Sequence, residues 1–261
     1  MTGNCILYEA SGGIARITLN QPERLNAFDS AMMAEVREAL RTIASDRTIG
    51  VVILTGSGEK AFCAGGHLKE MRDFGTEKAR RVFGGTWETL SLMRQIPQPI
   101  IAAVNGLAMG GGNELVVCSD LAIASDRASF GEPTPRIGAA AVFGVTNLLA
   151  ISVGEKRARE ICYLGRTYSA AEALQLGWIN KVVPHDELMA ETERWCNEIL
   201  EKSPAAIELC KVSANVWWDM LAPAMSHAYQ SLLRLAEGPE MAEGVNAFLD
   251  KRRPDFSRFR N

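Results

Sequence analysis

Two short runs in this chain contain almost nothing but aliphatic residues, and they constrain the architecture most. Ile49–Thr55 reads IGVVILT and Ile100–Val104 reads IIAAV. A strand with one face in water alternates apolar and polar residues. A run without that alternation needs cover on both faces, which a parallel or mixed sheet packed between helices provides. Each run ends in glycine: Gly56-Ser57-Gly58 after the first, and the segment from Gly106 to Gly112 after the second.

Helical patterns fill the intervals. Met33, Val36, Leu40 and Ile43 predict a helix from Ser30 to about Ser45, capped by Asp29 or Ser30. A loop over Ala61–Gly66 leads into a helix near His67–Asp73, then a longer one over Thr76–Arg94 with Thr76 as its cap, stopped by Pro97 and Pro99. Cys5–Ala10 and Ile14–Asn20 flank Ser11-Gly12-Gly13 and read as a hairpin. Leu121–Ala124 and Trp178–Val183 read as further strands. Val145–Ser152, Glu155–Leu164 and Ala170–Leu176 read as short helices. From Pro184 onward the chain reads as helical, over Glu187–Lys202, Pro204–Asn215, Pro223–Leu235 and Glu240–Lys251. Buried strand, glycine turn and helix in alternation predict an α/β layered architecture. Residues 1–200 are expected to form its core and residues 201–261 a helical region that packs on the sheet or on a neighbouring subunit. Trp217 and Trp218 in that region are read as core residues, with a subunit interface or pocket wall as the alternative.

Composition narrows the function. With 28 Lys and Arg against 31 Asp and Glu, the net charge is −3, so a partner bound by phosphate neutralisation is not expected. No apolar run approaches the ~18 residues that span a bilayer, and MTGNCILYEA lacks the charged start and apolar core of a signal peptide. Six cysteines stand singly and there are three histidines. That argues against a zinc site or a disulfide frame and predicts a reduced, cytoplasmic setting without a metal.

Chemistry is expected at the glycines. Ala61-Phe62-Cys63-Ala64-Gly65-Gly66-His67 and Gly106–Gly112, the latter followed by Asn113-Glu114, match neither a phosphate loop nor a dinucleotide fingerprint. Glycines where a strand turns into a helix leave backbone N–H groups bare, and the helix end adds positive potential. Two such turns facing each other can donate two N–H groups to one carbonyl oxygen, forming an oxyanion hole. The plainer alternative is that the glycines only permit close helix–strand packing.

The motifs carry a resemblance. ITLNQPERLNAF (17–28), VVILTGSGEKAFCAGGHLKEM (51–71), PIIAAVNGLAMGGGNELVVCSDLAIASDRASFGEP (99–133) and SAAEALQLGWINKVV (169–183) resemble the crotonase (enoyl-CoA hydratase/isomerase) superfamily. The resemblance implies a crotonase (ClpP-like) spiral of ββα units with a helical C-terminal trimerisation region, assembled as a homotrimer or homohexamer. It implies an acyl-CoA thioester substrate, with coenzyme A entering as part of the substrate and no separate cofactor, nucleic acid or membrane partner. Gly66 and Gly111 match the two oxyanion donors. Arg24, Ala27, Ala61, Phe62, Ala64, Gly65 and Lys69 match positions along the bound coenzyme A. Glu114 matches one of two acids that hold water in hydratases.

The second acid is expected where Thr134 stands, so the chain departs from the pattern there. Glu132, two residues earlier on an extended segment, points to the same side and is either a substitute acid or a surface charge. His67 replaces a usual aspartate at the start of its helix. With Met71, Ala139, Ala140 and Phe143 it is expected to border a dry acyl pocket suited to a bulky or cyclic group. Hydration of a 2-enoyl-CoA leads among the reactions. Double-bond isomerisation follows, then ring opening or thioester hydrolysis; a binding module without catalysis is the alternative from another class.

Overall fold

The structure, a computed structural model, describes residues 5–72 and 75–260. β1 (Ile6–Ser11) and β2 (Ile14–Leu19) form the expected antiparallel hairpin. α1 (Ser30–Ser45) follows, with the Asp29 carboxylate accepting from the Met32 N–H, and buries Met32, Met33, Val36, Leu40 and Ile43. β3 (Val51–Gly56), β4 (Ala61–Cys63), α2 (Leu68–Met71) and α3 (Thr76–Gln95) make one turn of the chain. β5 (Ile100–Val104), β6 (Leu107–Met109) and α4 (Gly111–Cys118) make the next. β7 (Leu121–Ser125) and β8 (Ser129–Gly131) begin a third. Then come α5 (Leu149–Val153), α6 (Glu155–Leu164), β9 (Thr167–Ser169), α7 (Ala170–Gln175), β10 (Lys181–Val183), α8 (Leu188–Leu200), α9 (Pro204–Ala214), α10 (Val216–Ala236) and α11 (Pro239–Leu249).

The strand order shows how the turns stack. One sheet runs β1-β2-β3-β5-β7-β10 and the other β4-β6-β8-β9. From β3 to β8 each strand in the first sheet is followed by one in the second, and β3, β5 and β7 are parallel neighbours, as are β4, β6 and β8. This is the ββα spiral the motifs implied. Every residue of β3 and β5 is buried, as their lack of alternation requires.

Several local expectations are corrected. Residues 61–63 are a strand of the second sheet and not loop; three residues are too few to show a period. The structure caps α3 with Gly75 rather than Thr76. The expected end of the preceding helix at Asp73 lies outside the described residues. α5 starts later than Val145, and only Lys181–Val183 of the expected 178–183 strand is paired. Pro223 lies inside α10 instead of starting a helix. Packing holds the axis on both sides of it: Trp218 stacks on Trp87 of α3 with centroids 5.5 Å apart, and Met225 is fully buried.

Lys211 secures α9 to the sheet. Its ammonium is buried and donates to the Met93 and Gln98 carbonyls at 2.9 and 2.8 Å while pairing with Asp120 at 2.8 Å. Removing one partner of a buried pair leaves uncompensated charge. Lys211→Met should therefore cost about 3 kcal/mol, even with Arg94 still 3.5 Å from Asp120, and lower Tm by roughly 10 °C in a thermal melt. An unchanged melt would mean that α9 does not depend on this pair.

Candidate active site

β4 and β6 are parallel neighbours, with Cys63 paired to Ala108, so the glycine turns that follow them emerge side by side. Gly65 has φ +97 and Gly110 φ +54 with ψ −122, conformations that side chains with a Cβ rarely adopt. The approach is too close for larger residues. A Cβ on Gly112 would stand 2.0 Å from the Cys63 carbonyl oxygen, and one on Gly111 would stand 2.5 Å from the Phe28 ring and 3.6 Å from the Gly66 nitrogen. Among the described residues, neither the Gly66 nor the Gly111 N–H donates to a protein acceptor. The Gly111 amide is the first of α4, where no carbonyl lies one turn back within the helix.

Both turns border a cavity of about 440 Å³, together with Met71, Glu114, Thr134, Ala139, Ala140 and Phe143. The far wall comes from α3, through Val82, Phe83 and Thr86, and from Leu232 and Phe248 of the C-terminal helices. Phe143 sits among Phe83, Trp87 and Tyr229 at centroid distances of 6.3, 6.0 and 5.8 Å. The helical spacing of Val82, Phe83 and Thr86 marked a buried face, but nothing in the sequence marked it as a pocket wall.

Glu114, on the first turn of α4, is 4% exposed and accepts from the Phe143 N–H at 2.9 Å. Burial raises its pKa well above the ordinary carboxylate value, the nearby charge of Glu132 raises it further, and the Phe143 bond offsets part of this. Glu132 is fully buried, so the surface-charge reading is wrong; it directly follows β8, and because a 3-10 turn opens at Thr134 the expected extended segment from 132 to 134 does not form. Burial pushes its pKa up to about 7, with Thr134 and Asn113 nearby acting in the opposite direction. Neither of its carboxylate oxygens has a hydrogen-bond partner of normal geometry. Two carboxyls so placed do not readily ionise together.

Other expected residues lie elsewhere. His67 does not border the cavity, correcting its place in the acyl pocket. Its Nδ1 lies 3.4 Å from Arg24, and burial, then the Arg24 charge, lowers its pKa. The Arg24 guanidinium also pairs with Asp29 at 2.7 Å. Lys69 is exposed on α2. The Ala27, Ala61 and Phe62 side chains are buried away from the cavity, whereas Ala64 and Gly65 border it. Cys63 is a buried thiol pushed up to about 12 by burial, unsuited to nucleophilic attack. Trp218 is a core residue and Trp217 is half exposed; neither borders the cavity. Asn26 and Asn105 were missed. Both donate to the Ala61 carbonyl, at 2.8 and 3.2 Å, and hold the turn before β4; single asparagines carry no periodic signal. No group of three or more His, Cys, Asp or Glu among the described residues is arranged to hold a metal ion.

A family model described as enoyl-CoA hydratase/isomerase matches residues 9–259. Among solved structures, the chain is similar to an enoyl-CoA hydratase from Mycobacterium avium subsp. paratuberculosis K-10, with TM-score 0.88, 27% identity, and coverage of 97% of this chain and 98% of that one. It is similar to an enoyl-CoA hydratase/isomerase from Xanthobacter autotrophicus Py2, with TM-score 0.86, 33% identity, and coverage of 97% and 100%. It is also similar to a carnitinyl-CoA hydratase from Mycobacterium avium, with TM-score 0.86, 30% identity, and coverage of 98% and 100%.

The raised acid makes stability depend on pH with a definite sign. Folded Glu132 keeps its proton above 4.5, where the unfolded chain has released it, up to about 7. Its stabilising contribution is full below 4.5 and lost as pH rises through 7. Glu132→Gln cannot ionise and escapes that loss. The variant should melt a few degrees above the parent at pH 8 relative to their difference at pH 4.5. A difference independent of pH would show that Glu132 does not titrate in this range.

Proposed function

The chain belongs to the enoyl-CoA hydratase/isomerase family, and from that premise we propose that this crotonase-fold enzyme holds an acyl-CoA thioester with its carbonyl oxygen between the Gly66 and Gly111 N–H groups. The observation that carries the reading is that these two unpartnered amides, on abutting turns, open onto the same cavity as the buried Glu114. Each amide strengthens its bond as negative charge builds on the oxygen, worth roughly 3–4 kcal/mol in the transition state. Drawing electrons toward that oxygen acidifies the Cα proton and stabilises an enolate.

Glu114 then moves the proton. Burial raises its pKa well above the ordinary carboxylate value, which favours the proton-carrying form that a group giving a proton to carbon needs. The leading reaction is reversible hydration of a 2-enoyl-CoA. The proton from Glu114 goes to Cα, the oxygen of water bonds to Cβ, and the released water proton returns to the acid pair. Isomerisation of the double bond is the second reading, favoured by Thr134 standing where hydratases carry a second acid. The apolar wall from Ala139 to Phe143 suits a bulky or cyclic acyl group in either case.

Coenzyme A is taken to lie along the Ala64–Gly65 backbone, with Lys69 near its phosphates. Arg24, tied to Asp29, contributes at the margin, and Ala27, Ala61 and Phe62 support that backbone from below. Residues 201–261 are taken as the assembly region of a homotrimer or homohexamer. Leu209 and Val212 on α9 and Val216 and Met220 on α10 are exposed apolar side chains, which a second copy would cover. No helix among the described residues is long and apolar enough to cross a membrane. Free cysteines fit a reducing, cytoplasmic setting.

The test is incubation with short-chain and cyclic enoyl-CoAs, following enoyl-thioester absorbance and product mass. A gain of one water identifies hydration; unchanged mass with a moved double bond identifies isomerisation. Glu114→Gln should lower turnover at least roughly 100-fold while acyl-CoA binding, measured by calorimetry, stays near that of the parent. Unchanged turnover would remove Glu114 from the mechanism.

A further inference from the structure

A thioester whose carbonyl sits at the glycine turns divides the cavity in two, with coenzyme A on one side and the acyl group on the other. The charged nucleotide of coenzyme A must reach solvent. Arg136 and Thr167 border the cavity where it is open, and both are exposed. The acyl group is left with the buried side. There Val82, Phe83, Thr86, Phe143 and Leu232 border the cavity, and none is more than 6% exposed.

Phe143 ties this wall to the chemistry, because its N–H donates to Glu114 at 2.9 Å. Its ring is held on several sides. Phe83, Trp87 and Tyr229 surround it with centroids 6.3, 6.0 and 5.8 Å away, and Trp87 is stacked in turn on Trp218 at 5.5 Å. Rings at such spacings are in packing contact, and a close-packed interior does not part to admit a longer chain. The wall also lacks charge. Among the described residues, Glu114 and Arg136 are the only charged ones that border the cavity, and Arg136 is on the open side. The wall's one hydroxyl, on Thr86, donates to the Val82 carbonyl at 3.0 Å. A charged acyl tail would give up its water here without a partner in exchange.

Resting on the acyl-CoA reading of this site, we propose that Phe143 is its specificity-determining residue: the braced ring limits the acyl group to a compact, uncharged hydrocarbon, short or cyclic, and excludes a long chain or one that ends in charge. The ring selects through its shape, while the main-chain N–H of the same residue holds Glu114. The two roles separate on substitution, since any residue but proline still offers that N–H.

Saturated acyl-CoAs, which have no double bond to hydrate, test the wall apart from the reaction. Calorimetry compares coenzyme A alone with its butanoyl, cyclohexanecarbonyl, octanoyl, glutaryl and 4-trimethylammoniobutanoyl thioesters. The butanoyl and cyclohexanecarbonyl thioesters should bind at least about tenfold more tightly than coenzyme A. Octanoyl-CoA should bind no more tightly than butanoyl-CoA, although every added methylene would gain affinity in an open apolar channel. The two charged thioesters should bind at least about tenfold more weakly than butanoyl-CoA. Phe143→Leu and Phe143→Ala should each raise the octanoyl-to-butanoyl affinity ratio about tenfold. Phe143→Leu, the smaller change, decides if Phe143→Ala does not fold. Three results each overturn the proposal: tighter binding of octanoyl-CoA by the parent, as a chain leaving past the exposed Phe248 would give, an unchanged ratio in the folded variants, or a charged thioester bound as tightly as butanoyl-CoA. Thioesters that all bind no better than coenzyme A overturn the acyl-CoA reading itself, and the role of Phe143 with it.

Discussion

The contact between two turns of backbone governs the rest of this molecule. β4 and β6 run parallel as neighbours, so the chain must leave both at the same edge and turn into a helix twice in the same small space. Only residues without a Cβ fit there: Gly112 lies against the Cys63 carbonyl and Gly111 against the Phe28 ring. The closeness that excludes side chains also leaves amides pointing into the cavity with no internal acceptor. The β3–β5 pairing beneath sets how far apart the turns can be, so the buried aliphatic strands position the amides although they are not part of the site.

The molecule treats its buried charges in two ways. Lys211 is surrounded by acceptors and a carboxylate, and so ties a C-terminal helix to the sheet. Glu114 accepts one hydrogen bond and Glu132 has only the neutral groups of Asn113 and Thr134 beside it, with no cation among the groups that act on either. Burial favours the protonated form and raises both acids, Glu132 to about 7. A structural charge is satisfied, whereas an acid that must carry its proton is left without a cation.

The readable parts of the sequence were those with a long enough period or an unambiguous breaker. α1 was legible from its apolar spacing and Asp29, and β3 and β5 from their unbroken apolar runs. The paired glycine turns and Glu114 were legible because few other arrangements use such a segment. β4, β6 and β8 went unread because three residues do not establish an alternation. Pro223 misled because packing at Trp218 and Met225 outweighs one lost backbone bond. His67 was expected beside the acyl group, yet it lies outside the cavity with its Nδ1 3.4 Å from Arg24. Glu132 had two readings, since the sequence did not say what would cover the residues between β8 and the turn at Thr134.

By itself the sequence determined that β3 and β5 must be covered on both faces, that the chain must turn at glycine after them, and that an acid follows the second turn. These follow from local sterics and from the cost of exposing aliphatic surface, which neighbours in the chain are enough to express. The tertiary structure alone decided that the Gly66 and Gly111 amides share one cavity, that Glu132 lies buried near Glu114, and that Trp178 orients Asn113 from 65 residues away. Contacts and desolvation of that kind depend on which distant segments are brought together, and no local pattern of residues encodes them.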